Sequence, residues 1–163
     1  AGVRCEGWCF GLLAMAGTTT CALVEPEYSE HTAGVLAELC RHRKRIAVLS
    51  APSVCSALDG ALRQRAAVFD FDPKWVGNGA WPCFTRRAAQ HHEVEQEKDL
   101  IGRCDLVIAH VQWDDELVLD RYMQMVRLLA APDGLVAVTS AIEHEVYLAM
   151  CGLFLQRFVP SFG

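Results

Sequence analysis

The chain predicts an α/β fold with a mostly parallel sheet, and three observations carry that expectation. The apolar runs Arg45–Leu49, Ala66–Phe69 and Asp105–Ala109 have the length of buried strands. Segments of helical spacing separate them. Each run also ends in a polar tip suited to a ligand: Ser50-Ala51-Pro52-Ser53, Asp70-Phe71-Asp72 and His110-Val111-Gln112-Trp113. In an open parallel sheet the carboxyl ends of the strands share one crevice, so these tips are expected to meet.

Taken in order, residues 1–24 read as an N-terminal extension or interface segment and residues 25–163 as one domain. The stretch from Trp8 to Val24 carries no charge, but Gly11, Gly17 and Thr18-Thr19-Thr20 break it. It is a poor membrane span and reads as core or interface. Ser29 caps a first helix whose buried stripe is Ala33, Leu36, Ala37, Leu39 and Cys40. Arg41-His42-Arg43-Lys44-Arg45 closes it as a solvated cationic end that complements the helix dipole. After the first strand, Pro52 falls where a helix begins and its missing N–H costs nothing. That helix is expected to run through Cys55, Leu58, Ala61 and Leu62, with Ser53 as a possible cap. Gly77-Asn78-Gly79 marks a turn flanked by Trp75 and Trp81, which suit either a base or the core. Cys83-Phe84-Thr85 is expected as a short third strand, and Arg86–Lys98 as a surface helix. The fourth strand ends at His110, and a helix from Asp115 to Leu129 buries Leu119, Tyr122, Met123, Val126 and Leu129. Pro132-Asp133-Gly134 turns into a fifth strand, Leu135–Thr139; a helix Glu143–Met150 and a sixth strand Phe154–Val159 follow.

Composition narrows the classes. Fifteen Lys and Arg stand against 20 Asp and Glu, a formal net charge of −5. Nothing in that balance recruits nucleic acid or an anionic membrane. The eight cysteines contain no Cys-x-x-Cys pair, and Cys5 with Cys9 is weak evidence for a metal. Cys55 and Cys104 are expected to be buried, reduced thiols, which points to an intracellular compartment, the cytoplasm or an organelle such as the mitochondrion. No signal peptide is visible, and a removed upstream segment stays open because the chain does not begin with Met. His91-His92-Glu93 are neighbours that a helix would point to different faces, so no metal site is expected.

Several blocks resemble the eukaryotic elongation-factor-1-alpha lysine methyltransferases, a family earlier described as N6-adenine-specific DNA methyltransferase-like. Ile46-Ala47-Val48-Leu49-Ser50-Ala51-Pro52-Ser53-Val54 is similar to its first motif. Phe69-Asp70-Phe71-Asp72-Pro73-Lys74-Trp75 resembles its Phe-Glu-Tyr-Asp-Lys-Arg-Phe block, and Tyr28-Ser29-Glu30-His31-Thr32-Ala33 its Tyr-Ser-x-x-Thr-Ala helix start. Val138-Thr139-Ser140-Ala141-Ile142-Glu143 and Phe158-Val159-Pro160 match its late blocks. The resemblance implies a class I S-adenosylmethionine-dependent methyltransferase fold, Rossmann-like, with a cofactor site at Ser50, Ala51, Pro52, Ser53, Asp70 and Asp72. It also implies transfer of a methyl group to a lysine amine oriented by an Asp-Pro-Pro-Tyr-type tip on the fourth strand.

The chain departs from that pattern at its centre. His110 stands in the place of the acid, Val111 and Gln112 in place of the prolines, and only the aromatic survives, as Trp113. Arg86 replaces an acid near the adenine, and Pro26-Glu27 an aromatic pair. A His cannot stand in for a carboxylate that favours a cation, so His110 and Trp113 are degenerate catalytic positions. Asp70 and Asp72 suit ribose hydroxyls and equally a turn before Pro73. The sixth strand is followed here only by Ser161-Phe162, so either the protein continues beyond Gly163 or the antiparallel final strand of the fold, which would lie between strands five and six, is missing. A gap there would leave an uncovered edge for a partner chain or a second copy. Two readings follow. One is a non-catalytic methyltransferase-like docking or structural subunit with no cofactor; the other is an active S-adenosylmethionine-dependent protein-lysine N-methyltransferase acting on a translation factor. Adenine methylation of nucleic acid is the weakest alternative, and no membrane association is expected.

Overall fold

The computed structural model describes residues 10–15, 28–70, 84–87, 94, 97–111, 116–156 and 158–162. The three apolar runs form β2 (Ile46–Leu49), β3 (Ala66–Asp70) and β5 (Cys104–His110). With β1 (Phe10–Met15), β4 (Phe84–Arg87), β6 (Ala130–Ala141) and β7 (Leu155–Gln156) they build one sheet in the order β4-β3-β2-β5-β6-β1-β7. Every paired neighbour is parallel. The fold is the expected α/β class, with its order reversing direction between β2 and β5.

Both faces of the sheet are covered, which is why the strands read as continuous apolar runs. Ile46, Val48, Ala66, Val68, Leu106 and Ile108 face α1 (Glu30–Cys40), α2 (Pro52–Ala57) and α3 (Gly60–Arg63). Their sequence neighbours Ala47, Leu49, Ala67, Phe69, Val107 and Ala109 face α4 (Glu116–Leu129) and α5 (Glu145–Met150). This is the period-2 alternation of a strand. Helix α4 buries Leu119, Tyr122, Met123, Val126 and Leu129 as the spacing predicts. Ser29 caps α1, its Oγ accepting from the Thr32 N–H at 3.3 Å. Cys55 and Cys104 are buried, and Cys104 keeps a free thiol whose pKa burial raises to about 12.

Several expectations change. The helix after Pro52 is two short helices, because Leu58 is extended and Asp59 starts α3 by accepting from the Leu62 N–H at 2.8 Å. Ser53 caps nothing; Ala51 holds the N-cap position of α2 without a side-chain bond. Arg86 and Arg87 lie in β4, paired with β3, and do not begin a helix. Pro132-Asp133-Gly134 falls inside β6, because pairing with β5 extends back to Cys104 and Ala130 across an irregularity in register. The sixth expected strand shortens to Leu155–Gln156, and a 3₁₀ turn, Ile142–His144, precedes α5. The turn at 77–79, Cys83, Trp75, Trp81, the pair His91-His92 with Glu93, and Cys5, Cys9 and Trp8 lie outside the described residues. Among the described residues no helix is long and apolar enough to cross a membrane, and no three His, Cys, Asp or Glu side chains gather to hold a metal.

The largest correction concerns the sheet edge. No strand follows β7 among the described residues, yet the position between β6 and β7 is not a gap. The uncharged segment Phe10–Met15 enters it as β1, pairing Phe10 to Met15 with Val136 to Ala141 on one side and Leu12-Leu13 with Leu155-Gln156 on the other. The main-chain groups of β6 that were expected to await a partner are therefore bonded within the chain.

Gly134 sits where this register is tightest. A Cβ there would lie 2.7 Å from the Cys104 carbonyl oxygen and 3.0 Å from that of Ala131. Both neighbours are backbone and cannot swing aside. Gly134→Ala is expected to destabilise the chain by about 1–3 kcal/mol, read as a lowered urea midpoint; an unchanged midpoint would show that the β5–β6 register is looser than described.

Candidate functional site

Parallel pairing in register fixes the geometry of the crevice. Leu49 is level with both Phe69 and Ala109, so the residues that follow, Ser50, Asp70 and His110, end adjacent strands side by side. Thr139 of β6 is level with His110 and completes the row.

At the first tip, alternation would send the Ser50 side chain toward α1, the direction of Ile46 and Val48. The backbone prevents it. Ser50 has φ +50°, a left-handed conformation that costs a non-glycine residue about 1–3 kcal/mol. The turn redirects its hydroxyl to the other face, where it meets the Tyr122 hydroxyl of α4 at 2.6 Å. Both groups are buried, so the bond offsets part of the strain. The hydroxyl expected to face a ligand is thus engaged by Tyr122, a residue that sequence spacing marked only as core.

At the second tip, Asp70 closes β3 at 2 % exposure, on the α1 side of the sheet by alternation from Ala66 and Val68. A carboxylate at this depth is held by neighbours. Arg86 and Arg87 of β4 pair by backbone with Phe69 and Asp70. Asp72 lies outside the described residues, as do Gln112 and Trp113 at the third tip.

The third tip is the most informative. His110 is 3 % exposed and faces the α1 side. Its Nδ1 lies 2.8 Å from Thr139 Oγ1, and the Tyr28 hydroxyl also hydrogen-bonds Thr139 Oγ1. The Tyr28 and Phe162 rings pack on the imidazole with centroids 4.9 and 5.7 Å away, and on each other at 5.5 Å. Burial lowers the His110 pKa to about 4 and raises that of the Tyr28 phenol above its usual range. Both groups are therefore neutral near pH 7.

Thr139 has one hydroxyl proton to share between them. Thr139 Oγ1 either accepts from one of the two and donates its proton to the other, or accepts from both the Tyr28 hydroxyl and an Nδ1–H. Each arrangement leaves Nε2 alone, and Nε2 is buried without a partner. A buried nitrogen in that state costs about 1–3 kcal/mol, so it is the atom at which a ligand or water would make its bond.

Phe162 reaches this cluster through contacts that sequence reading did not anticipate. The Ser29 N–H donates to the Ser161 carbonyl at 2.9 Å, and the Ser161 N–H to Thr32 Oγ1 at 2.8 Å. The Ser29 and Ser161 hydroxyls meet at 2.6 Å, and Tyr28 and Phe162 form an isolated antiparallel bridge. Residues 160–162 thereby close over the start of α1 and the tip of β5. A second hydroxyl–imidazole pair, Ser140 Oγ to His144 Nδ1 at 2.6 Å, is buried one residue along β6.

A parallel sheet of this order, with a turn, an acid and a tip residue on adjacent strand ends, defines a methyltransferase-like α/β protein. The family model described as "Probable N6-adenine methyltransferase" matches residues 27–163, and the chain belongs to that family. Among solved structures it is similar to a protein from Anaeromyxobacter dehalogenans put forward as a type II methyltransferase, at 17% sequence identity and a TM-score of 0.44. The match covers 79% of this chain and 59% of that one, so the chain spans less than two thirds of its length. No curated protein matches the chain.

The buried imidazole has a consequence for stability. Its pKa of about 4 lies below the usual 6.5, so the unfolded chain binds a proton first as pH falls. The contribution is complete above pH 6.5 and is lost as pH falls toward 4, on the order of 3 kcal/mol in total. Urea unfolding at a series of pH values is expected to show this loss in the native chain and a smaller one in His110→Gln. Thr139→Val removes the shared hydroxyl and is expected to cost about 2 kcal/mol or more. Equal acid sensitivity in the native chain and His110→Gln would contradict the assignment.

Proposed function

We propose that this chain is a non-catalytic, methyltransferase-like protein that serves as a docking or structural subunit of a larger assembly. The observation that carries this reading is the β5 tip. Methyl transfer to an amine needs the amine neutral, held in line with the donor and oriented by an acceptor. In the elongation-factor-1-alpha lysine methyltransferases that the sequence resembles, a carboxylate stands at this position. Here it is a neutral, buried imidazole locked to Thr139 and covered by Tyr28 and Phe162.

The same residues bear on the family's cofactor. Asp70 beside the main chain of Ser50 and Ala51 has the chemistry to hold a nucleoside, and S-adenosylmethionine would supply an electrophilic methyl group there. The fit stops at that half. The Ser50 hydroxyl is engaged by Tyr122, Ala51 adds no side-chain bond to the start of α2, and aromatic rings cover the tip where an acceptor amine would stand. The reading accordingly expects no cofactor.

A partner is supported by the face of the sheet opposite α1. Val146 and Met150, one turn apart on α5, are 73% and 83% exposed, and Ile142, Phe154 and Leu155 beside them in sequence are exposed too. Large apolar side chains left in water in this way mark interaction surfaces. The expected partner is a protein or a second copy, and it would meet this surface, since β1 already occupies the edge of β6.

The second reading, an active protein-lysine N-methyltransferase acting on a translation factor, is favoured by one pair of observations: Asp70 retained at the β3 tip and the left-handed turn at Ser50. Incubation with methyl-labelled S-adenosylmethionine and elongation factor 1-alpha separates the two, alongside a calorimetric titration of the cofactor. The proposal expects no label transferred and no saturable heat. Transfer that disappears in His110→Ala would establish the second reading in its place.

A further inference from the structure

The opposite end of the sheet gathers cations that the sequence scatters. Three adjacent strands, β3, β2 and β5, begin there. Arg63 and Arg65 lead into β3, the run Arg41–Arg45 leads into β2, and Lys98 and Arg103 lead into β5. Adjacent strands lie about 4.8 Å apart, so these three entries form one surface. In a chain of net charge −5, that is a segregation of charge.

Among the described residues, three guanidinium groups there are held by main-chain carbonyls. Arg45 Nη1 donates to the Asp99 carbonyl at 2.6 Å, Arg43 Nη1 to the Asp105 carbonyl at 3.5 Å, and Arg65 Nη1 to the Arg43 carbonyl at 3.5 Å. A carbonyl orients a guanidinium and leaves its charge in place. The Asp105 carboxylate serves the loop itself, accepting from the main-chain N–H groups of Lys44 and Arg45 at 2.8 and 2.9 Å. Arg41 is the exception, paired with Glu38 at 2.7 Å. Lys44, Lys98 and Arg103 are exposed, with no ion pair among the described residues. Glu97, Asp99 and, beside the start of β5, the exposed Asp133 are present as well, but the cations outnumber the carboxylates.

The chemistry of this face selects its partner. Arginine's planar fork matches phosphate oxygens in two-point contacts. A bilayer or a protein interface would also need apolar anchors. Among the described residues the exposed large apolar side chains are Leu117, Ile142, Val146, Met150, Phe154, Leu155 and Val159, and none belongs to the segments entering β3, β2 or β5. We propose that this amino-end face binds the phosphodiester backbone of nucleic acid, without reading sequence, as a surface separate from the crevice at the carboxyl end. Whole-chain charge hides it because the acidic residues lie mostly elsewhere.

Fluorescence anisotropy of a short labelled oligonucleotide, single-stranded and duplex, tests this on the intact chain. Binding is expected at about 50 mM salt and to weaken steeply with salt, with little preference among sequences. Combining Lys44→Glu, Arg65→Glu and Arg103→Glu is expected to weaken it about tenfold or more. The slope of log K against log salt should flatten by about one for each cation that touched a phosphate. Far-UV circular dichroism and the melting temperature are expected to stay unchanged. Should the triple variant fail to fold, Lys44→Glu with Arg103→Glu gives the same readout, since neither side chain makes a bond among the described residues. Absence of binding by the native chain, binding indifferent to these reversals, or binding to phosphatidylserine vesicles in place of the oligonucleotide would each overturn the proposal.

Discussion

One buried hydroxyl, Thr139 Oγ1, ties together the elements that define the crevice. It stands on β6, bonds His110 on β5 and Tyr28 ahead of α1, and so fixes the height at which α1 meets the sheet. The Tyr28 ring placed by that bond is what Phe162 packs on. Three parts of the chain that are distant in sequence meet at this atom. The low polarity that makes the site compact also decides its chemistry: an imidazole buried this deeply stays neutral, and a neutral imidazole does not do a carboxylate's work. The neutrality of the tip and its closure by aromatic rings are therefore one structural fact, and the proposed lack of catalysis rests on it.

The Ser50 turn shows the same economy on the other face. A glycine would adopt φ +50° freely; serine does so against sterics, and its hydroxyl finds Tyr122 in return. Tyr122 sits on α4, the helix that follows the β5 tip, so the turn after β2 and the loop after β5 are coupled through one bond. A polar side chain expected to point at a ligand serves here to hold a turn.

The strands and their tips were legible in the sequence because burial on both faces writes apolar runs that periodicity detects, and because parallel pairing puts their ends together. Ser29 as a cap was legible for the same local reason. What failed was set by distant pairing. Pro132-Asp133-Gly134 has the composition of a turn, yet Cys104 draws it into β6. Phe10–Met15 showed its lack of charge but not its destination, which depends on the space between β6 and β7. Thr139 and Tyr28 sat in blocks similar to the family's and Phe162 in the short remnant after the sixth strand, with no sign that they would converge on His110. The basic face was hidden because its three segments are far apart in sequence and adjacent only in the sheet.

A closed and uncharged tip at β5 can be checked by following the ring nitrogens of His110 through an acid titration by nitrogen-15 NMR. The ring is expected to stay neutral and to begin taking up a proton only near pH 4, with a single tautomer held by Thr139. A ring that titrates near the usual 6.5, with its two tautomers in exchange, would mean a solvated and open tip and would contradict that expectation.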